Sequence, residues 1–159
     1  DVSGFEQTAT VFYGPNGVFE ESFTVAGVVT CDWKPDMMQW PASVAVGTTF
    51  SIDSSCTIGS PQGSATIRFT GTSTVAGKVA VTIGGATANA WSVSSTGHLM
   101  THSKDKNGKE EDNNVDIVAT RYFDPTRGVD LYRHLDTKGS QGNATIIERL
   151  KSLTPTKNS

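Results

Sequence analysis

The sequence predicts an all-β fold, an antiparallel meander of about ten strands forming a curved sheet, half-barrel or barrel. Three observations carry that expectation. Thr (21) and Val (15) far outnumber Leu (5), and β-branched side chains suit a half-buried pleated surface better than a helix. Turn-forming clusters recur at strand-length intervals: "YGPNG", "GSPQG", "TVAGKV", "IGGAT", "DKNGKE", "DPTRG" and "DTKGSQGN". Between them runs an alternation of period two, the mark of a sheet with one wet side.

Taken in order, a strand over 4–13 turns at "YGPNG" into a second over 18–30. The segment 31–46 reads as irregular, and "PDMMQWPA", closed by Pro41, offers one helical turn at most. A strand over 47–58 leads through "GSPQG" to 63–73, and "TVAGKV" separates that from 75–83, where Val79, Val81 and Ile83 share a face. "IGGAT" opens the next pair, 86–95 and 97–103. "DKNGKE" leads into 114–124, with Asn-Gly as the turn.

The stretch "RYFDPTRGVDLYRH" is dense in reactive side chains and reads as a hairpin joining 114–124 to 128–137. Asp124 accepts from the turn backbone, Pro125 presets φ, and Gly128 takes a left-handed conformation. Val129, Leu131, Arg133 and Leu135 then share one face, and Arg121, Arg127 and Arg133 are solvated charges. A last strand covers 142–151. About ten strands cannot stay flat, so the sheet curves.

The length of 159 residues fits one domain, 1–159. A net charge of −3 leaves no basic field for nucleic acid or for an anionic membrane surface. No apolar run reaches the roughly 20 residues of a transmembrane helix, and a start at Asp1 without a basic, apolar leader reads as a mature or trimmed domain. Cys31 and Cys56, in a chain rich in Ser, Thr and Gly, are expected to form a disulfide in a secreted or cell-envelope protein, with two buried free thiols as the alternative.

No catalytic, metal or cofactor set emerges. "SKDKNGKEEDNN" echoes a calcium loop, but Ser103 and Asn114 fall where its end ligands are needed, so Asp105, Glu110, Glu111 and Asp112 form at best a weak cation site on a charged hairpin tip. His98, Met100 and His102 line one strand face about 6.6 Å apart, too spread for one ion to take all three. No framed nucleophile appears, and neighbouring carboxylates such as Glu20 and Glu21 face opposite sides. Trp33, Met37, Met38 and Trp40 are the candidate ligand-binding residues; they line a pocket for an apolar molecule, plug the open end of a barrel, or meet a protein partner. "NAT" at 143–145 matches an N-glycosylation sequon.

Read in order, "QWPASVAVGTTFS", "GTSTVAGKVAVTIGG", "ANAWSVSS", "TRYFDPTRGVDLYRH" and "IIERLKSLTP" resemble the layout of uncharacterised exported bacterial β-meander domains of the half-barrel, lipoprotein-carrier type. The resemblance covers about residues 39–155. It implies an envelope or secreted location and an apolar ligand on the concave face, and it transfers no catalytic residue. The function expected is thus a non-enzymatic exported β-domain binding an apolar or amphipathic ligand. A structural or adhesive protein-interaction module is the second reading and a secreted hydrolase the third.

Overall fold

The computed structural model describes residues 7–25, 29–60, 63–140, 142–151 and 153. The expected strand positions 4–6 and 26–28 and the turn positions 61, 62 and 141 lie outside the described residues. Among the described residues nine strands follow one another: β1 (Gln7–Gly14), β2 (Gly17–Val25), β3 (Val29–Pro41), β4 (Thr49–Ser60), β5 (Gly63–Ile83), β6 (Ala86–Asp105), β7 (Glu110–Asp124), β8 (Val129–Gly139) and β9 (Gly142–Arg149). Each pairs antiparallel with its neighbours in sequence, giving one curled sheet in the order β1 to β9, a half-barrel. The all-β meander is therefore as expected, with three differences of detail.

The first is β3. "PDMMQWP" is extended, not a helical turn, and the irregular 31–46 is mostly strand. Proline is tolerated here because the chain leaves the β2 ladder between Asp32 and Met37. Pro35 lies in that excursion, where no ladder donor is required.

The second is the merging of four expected strands into two, β5 and β6. Within them the glycines are not turns. Phe69 lays its ring over the bare backbone of Gly71 and Gly97; a Cβ on Gly97 would sit 2.7 Å from the ring. At "TVAGKV" the chain makes a bulge: Val75 pairs with Val93 but Gly77 pairs with Ser92, leaving Ala76 extra.

That bulge moves the core from one face of the sheet to the other. Val75 and Val93 pack with Val18, Trp40, Phe50 and Phe123 on the concave face. Beyond the bulge Val79, Val81 and Ile83 do share a face, but it is the convex one, where they pack with Ala88, Ala90 and Leu131 under Leu150 and Leu153. The extra residue reverses the inside–outside alternation, so residues two apart across it point oppositely.

The third difference is a similar bulge in β8. Phe123 pairs with Asp130 and Tyr122 with Tyr132. Leu131 joins the convex cluster while Arg133 lies opposite Arg121, beside buried Phe123 on the concave side. The four residues Val129, Leu131, Arg133 and Leu135 do not share one face as the sequence suggested.

The β7–β8 turn is as expected in its chemistry. The backbone N–H and hydroxyl of Thr126 donate to Asp124 Oδ1 at 2.9 and 2.6 Å, and Arg127 pairs with the same carboxylate. Gly128 has φ +67° and donates to the Asp124 carbonyl at 2.9 Å. The β6–β7 tip is likewise a hairpin, with Asp105 Oδ1 accepting from the Asn107 and Lys109 N–H groups at 2.8 and 2.9 Å and Gly108 at φ +82°.

Candidate functional site

The concave face is identified by contacts between strands that are not neighbours. β3 and β7 are four places apart in the sheet, yet the Trp40 and Phe123 rings lie 5.5 Å apart and Arg121 reaches Gln39. Curling toward this face brings them together. Trp40 also lies 5.7 Å from Trp91. With Val18, Phe50, Val75 and Val93 these rings close one end of the half-barrel as a packed plug.

Beside the plug sits a charged network. Arg121 is only 7% exposed, which corrects the expectation that all three arginines of this hairpin are solvated. The cause is register: Arg121 and Phe123 occupy alternate positions of one inward face of β7, so both must face β3. Arg121 donates to Gln39 Oε1 at 2.7 Å and to the Gln39 carbonyl, and its Nη1 lies 3.7 Å from Asp130 Oδ1. Gln39 Nε2 donates to Glu20 Oε2 at 3.3 Å, and the Trp33 indole N–H donates to Glu20 Oε1 at 3.0 Å. Four strands, β2, β3, β7 and β8, are tied by this chain.

Burial raises the Glu20 carboxyl above its ordinary range, against the Trp33 hydrogen bond and the attraction of Arg133. Asp130 is raised by burial too, with Arg121 opposing. Its Oδ1 is a buried acceptor with no hydrogen-bond partner among the described residues. Arg133 and Glu148 pair at the neighbouring β8–β9 step, Nε to Oε2 at 2.6 Å. A recess of about 210 Å³ opens there, lined by Asp130, Arg133, Glu148, Arg149 and Leu150.

The third part of the face is the disulfide cluster. Cys31 and Cys56 are bonded, with Cα atoms 5.5 Å apart, and pack with Trp33, Phe23, Met37, Ile58 and Ile67. The bond spans the sparsest junction of the sheet, for β3 and β4 share a single registered pair, Lys34 with Ser55. The expected pairing of the two cysteines is thus present, and the free-thiol alternative is not.

Trp33, Met37, Met38 and Trp40 therefore do not gather into one mouth. Trp40 (5% exposed) and Met38 belong to the plug, and Trp33 (4% exposed) and Met37 to the disulfide cluster. Their separation along β3, whose register with β2 is irregular, divides them between two clusters of the same face.

What lies open on the concave side is a row that sequence reasoning did not single out. Registered neighbours Phe69, Leu99 and Val115 cross β5, β6 and β7; Ile117 follows on β7, and Ala119, Leu135 and Ile146 cross β7, β8 and β9. Phe69, Leu99, Val115, Ile117 and Leu135 are only half-buried. Among the described residues the substantial contacts between strands run between sheet neighbours, so no distant strand packs closely along this row. Their alternation was legible, but which face curls inward was not.

Away from the Leu131 cluster, the convex face of β6 and β7 carries a row of His–Asp pairs. His98 Nδ1 lies 2.9 Å from Asp116 and Nε2 3.3 Å from Asn114, and His102 Nδ1 lies 2.6 Å from Asp112. The Asp116 hydrogen bond raises the His98 pKa. These pairs join β6 to β7. No group of three or more His, Cys, Asp or Glu suited to a metal ion occurs among the described residues. Likewise no helix is long and apolar enough to cross a membrane.

No protein-family model, curated protein or solved structure matches this chain.

Proposed function

We propose that the protein is an exported, non-enzymatic β-domain that binds an apolar or amphipathic ligand on its concave face. The observation that carries this reading is the row Phe69, Leu99, Val115, Ile117 and Leu135, apolar across four strands and left partly exposed. A packed structural module would fill this surface; a carrier leaves it for its ligand. The tryptophan plug closes one end, and the disulfide cluster walls one side. Arg121, Asp130, Arg133 and Glu20 stand next to the plug, where the polar end of an amphipathic ligand would meet charge. The disulfide supports an oxidising, extracytoplasmic location.

The test is a titration with the fluorescent probe N-phenyl-1-naphthylamine against the oxidised protein. Saturable binding is expected, weakened about tenfold by Leu99→Gln or Ile117→Gln and untouched by Val118→Gln on the convex face; tenfold corresponds to about 1.4 kcal/mol. Absence of binding, or equal losses from both faces, would overturn the reading.

A further inference from the structure

The two edges of the half-barrel are unequal. At the β1 edge the β7–β8 turn lies close: a Cβ on Gly128 would sit 3.0 Å from Tyr13 Oη and 3.3 Å from Val11 Cγ1. At the β9 edge every side chain is exposed. Among the described residues β9 pairs with β8 alone, so its outer row of backbone N–H and C=O groups meets no described strand of this sheet.

Natural edge strands are blunted by charge, proline or bulges, because an open ladder templates pairing with another chain. β9 has none of these over Gly142–Ile147, its first charged residue being Glu148. Its registered pairing with β8 is unbroken by any bulge. Ile146 is 45% exposed and Ile147 56%, and adjacent strand residues point to opposite faces. A strand laid along this edge must therefore offer apolar side chains on both faces.

We infer that β9 is a self-association edge that pairs antiparallel with β9 of a second copy about a two-fold axis normal to the sheet. Such an axis keeps both concave faces on the same side and closes on a dimer. Centring the pair on Ile146 sets Ile146 against its own copy, Ile147 against Thr145, Glu148 against Ala144 and Arg149 against Asn143. No like charges then stand opposite one another, and the isoleucine side chains meet apolar or methyl-bearing partners. Ile146 is registered with Leu135, so the apolar row of the concave face runs on into the second copy. The competing arrangement, β9 on β1 of the next copy, pairs strands that run the same way. It is the weaker ladder and grows without limit. The inference stands independently of the ligand reading.

Sedimentation of the full, oxidised chain over a wide concentration range tests it. A monomer–dimer equilibrium is expected, weakened at least tenfold by Ile147→Lys, which places a charge on the exposed edge and leaves the far-ultraviolet circular dichroism unchanged. Ile146→Cys should in turn cross-link to its own copy under mild oxidation, because opposed residues bring Cα atoms to about 4.5–5.5 Å, within disulfide reach. Monomer at every concentration, species growing beyond the dimer, or a dimer indifferent to Ile147→Lys would each overturn it.

Discussion

Arg121 is the residue on which the interior polar network turns. It is buried, holds Gln39 through two hydrogen bonds and faces Asp130. Removing one partner of a buried charged pair costs more than the pair contributes, because the other charge is stranded. Arg121→Met should destabilise the protein by about 3 kcal/mol in urea unfolding, and Asp130→Asn in that background should recover part of the loss. Two aspartates of the same hairpin respond to pH in opposite senses. Burial holds Asp130 above its ordinary 3.8, so its contribution is fully present below that value and is lost as pH rises through the raised one. Asp124 is buried as well, which alone would raise it, but Thr126 and Arg127 hold it below 3.8. Its contribution is present above 3.8 and is lost as pH falls through the lowered value. Relative to wild type, Asp130→Asn should therefore gain stability as pH rises above about 4, and Asp124→Asn should lose its deficit as pH falls below that. Stability curves of the two variants that run parallel would contradict both assignments.

At the level of the strand, the glycines decide how much was legible. Turn chemistry was readable at Asp124 with Gly128; at the β6–β7 tip the sequence pointed to Asn107-Gly108, and the side chain that accepts there is Asp105. Gly97 has a different reason to be glycine: the ring of Phe69, brought over it by the pairing of β5 with β6. That contact lies across a strand and leaves no local signal. Gly97→Ala should cost about 1–3 kcal/mol by overpacking, and Phe69→Leu should relieve most of that cost when combined with it. The two bulges were invisible for a related reason. Each inserts one residue without a break in the alternating pattern, yet each switches the side on which later residues are buried. The grouping of Val79, Val81 and Ile83 on one face thus holds, whereas that of Val129, Leu131, Arg133 and Leu135 fails at the bulge between them. β3 was hidden by its own prolines and by Asp36, which suit a turn in isolation. Its place in the sheet rests on long-range partners, Trp91, Phe123 and Arg121.

The whole molecule is a sheet whose weakest seam is stapled. With one registered pair joining β3 to β4, strands β1–β3 are held to the remainder by the disulfide, its apolar cluster and the plug. Closing the loop between Cys31 and Cys56, a separation of 25 residues, stabilises the fold by about 3 kcal/mol in the chain-entropy model. Reduction should lower the melting temperature and raise amide exchange in β1–β3 before β6–β8. Uniform exchange would contradict the seam. The same curl that seats the plug leaves Leu99, Val115 and Ile117 only half-buried on the concave face, and this apolar row is the basis of the functional reading. Native mass spectrometry of the oxidised protein from its own host, before and after denaturation, tests that reading most directly. A bound apolar or amphipathic species that departs on denaturation, and whose occupancy falls in Leu99→Gln, is the predicted result. A bare chain at its calculated mass, two hydrogens light, with no uptake of added apolar probe would contradict it.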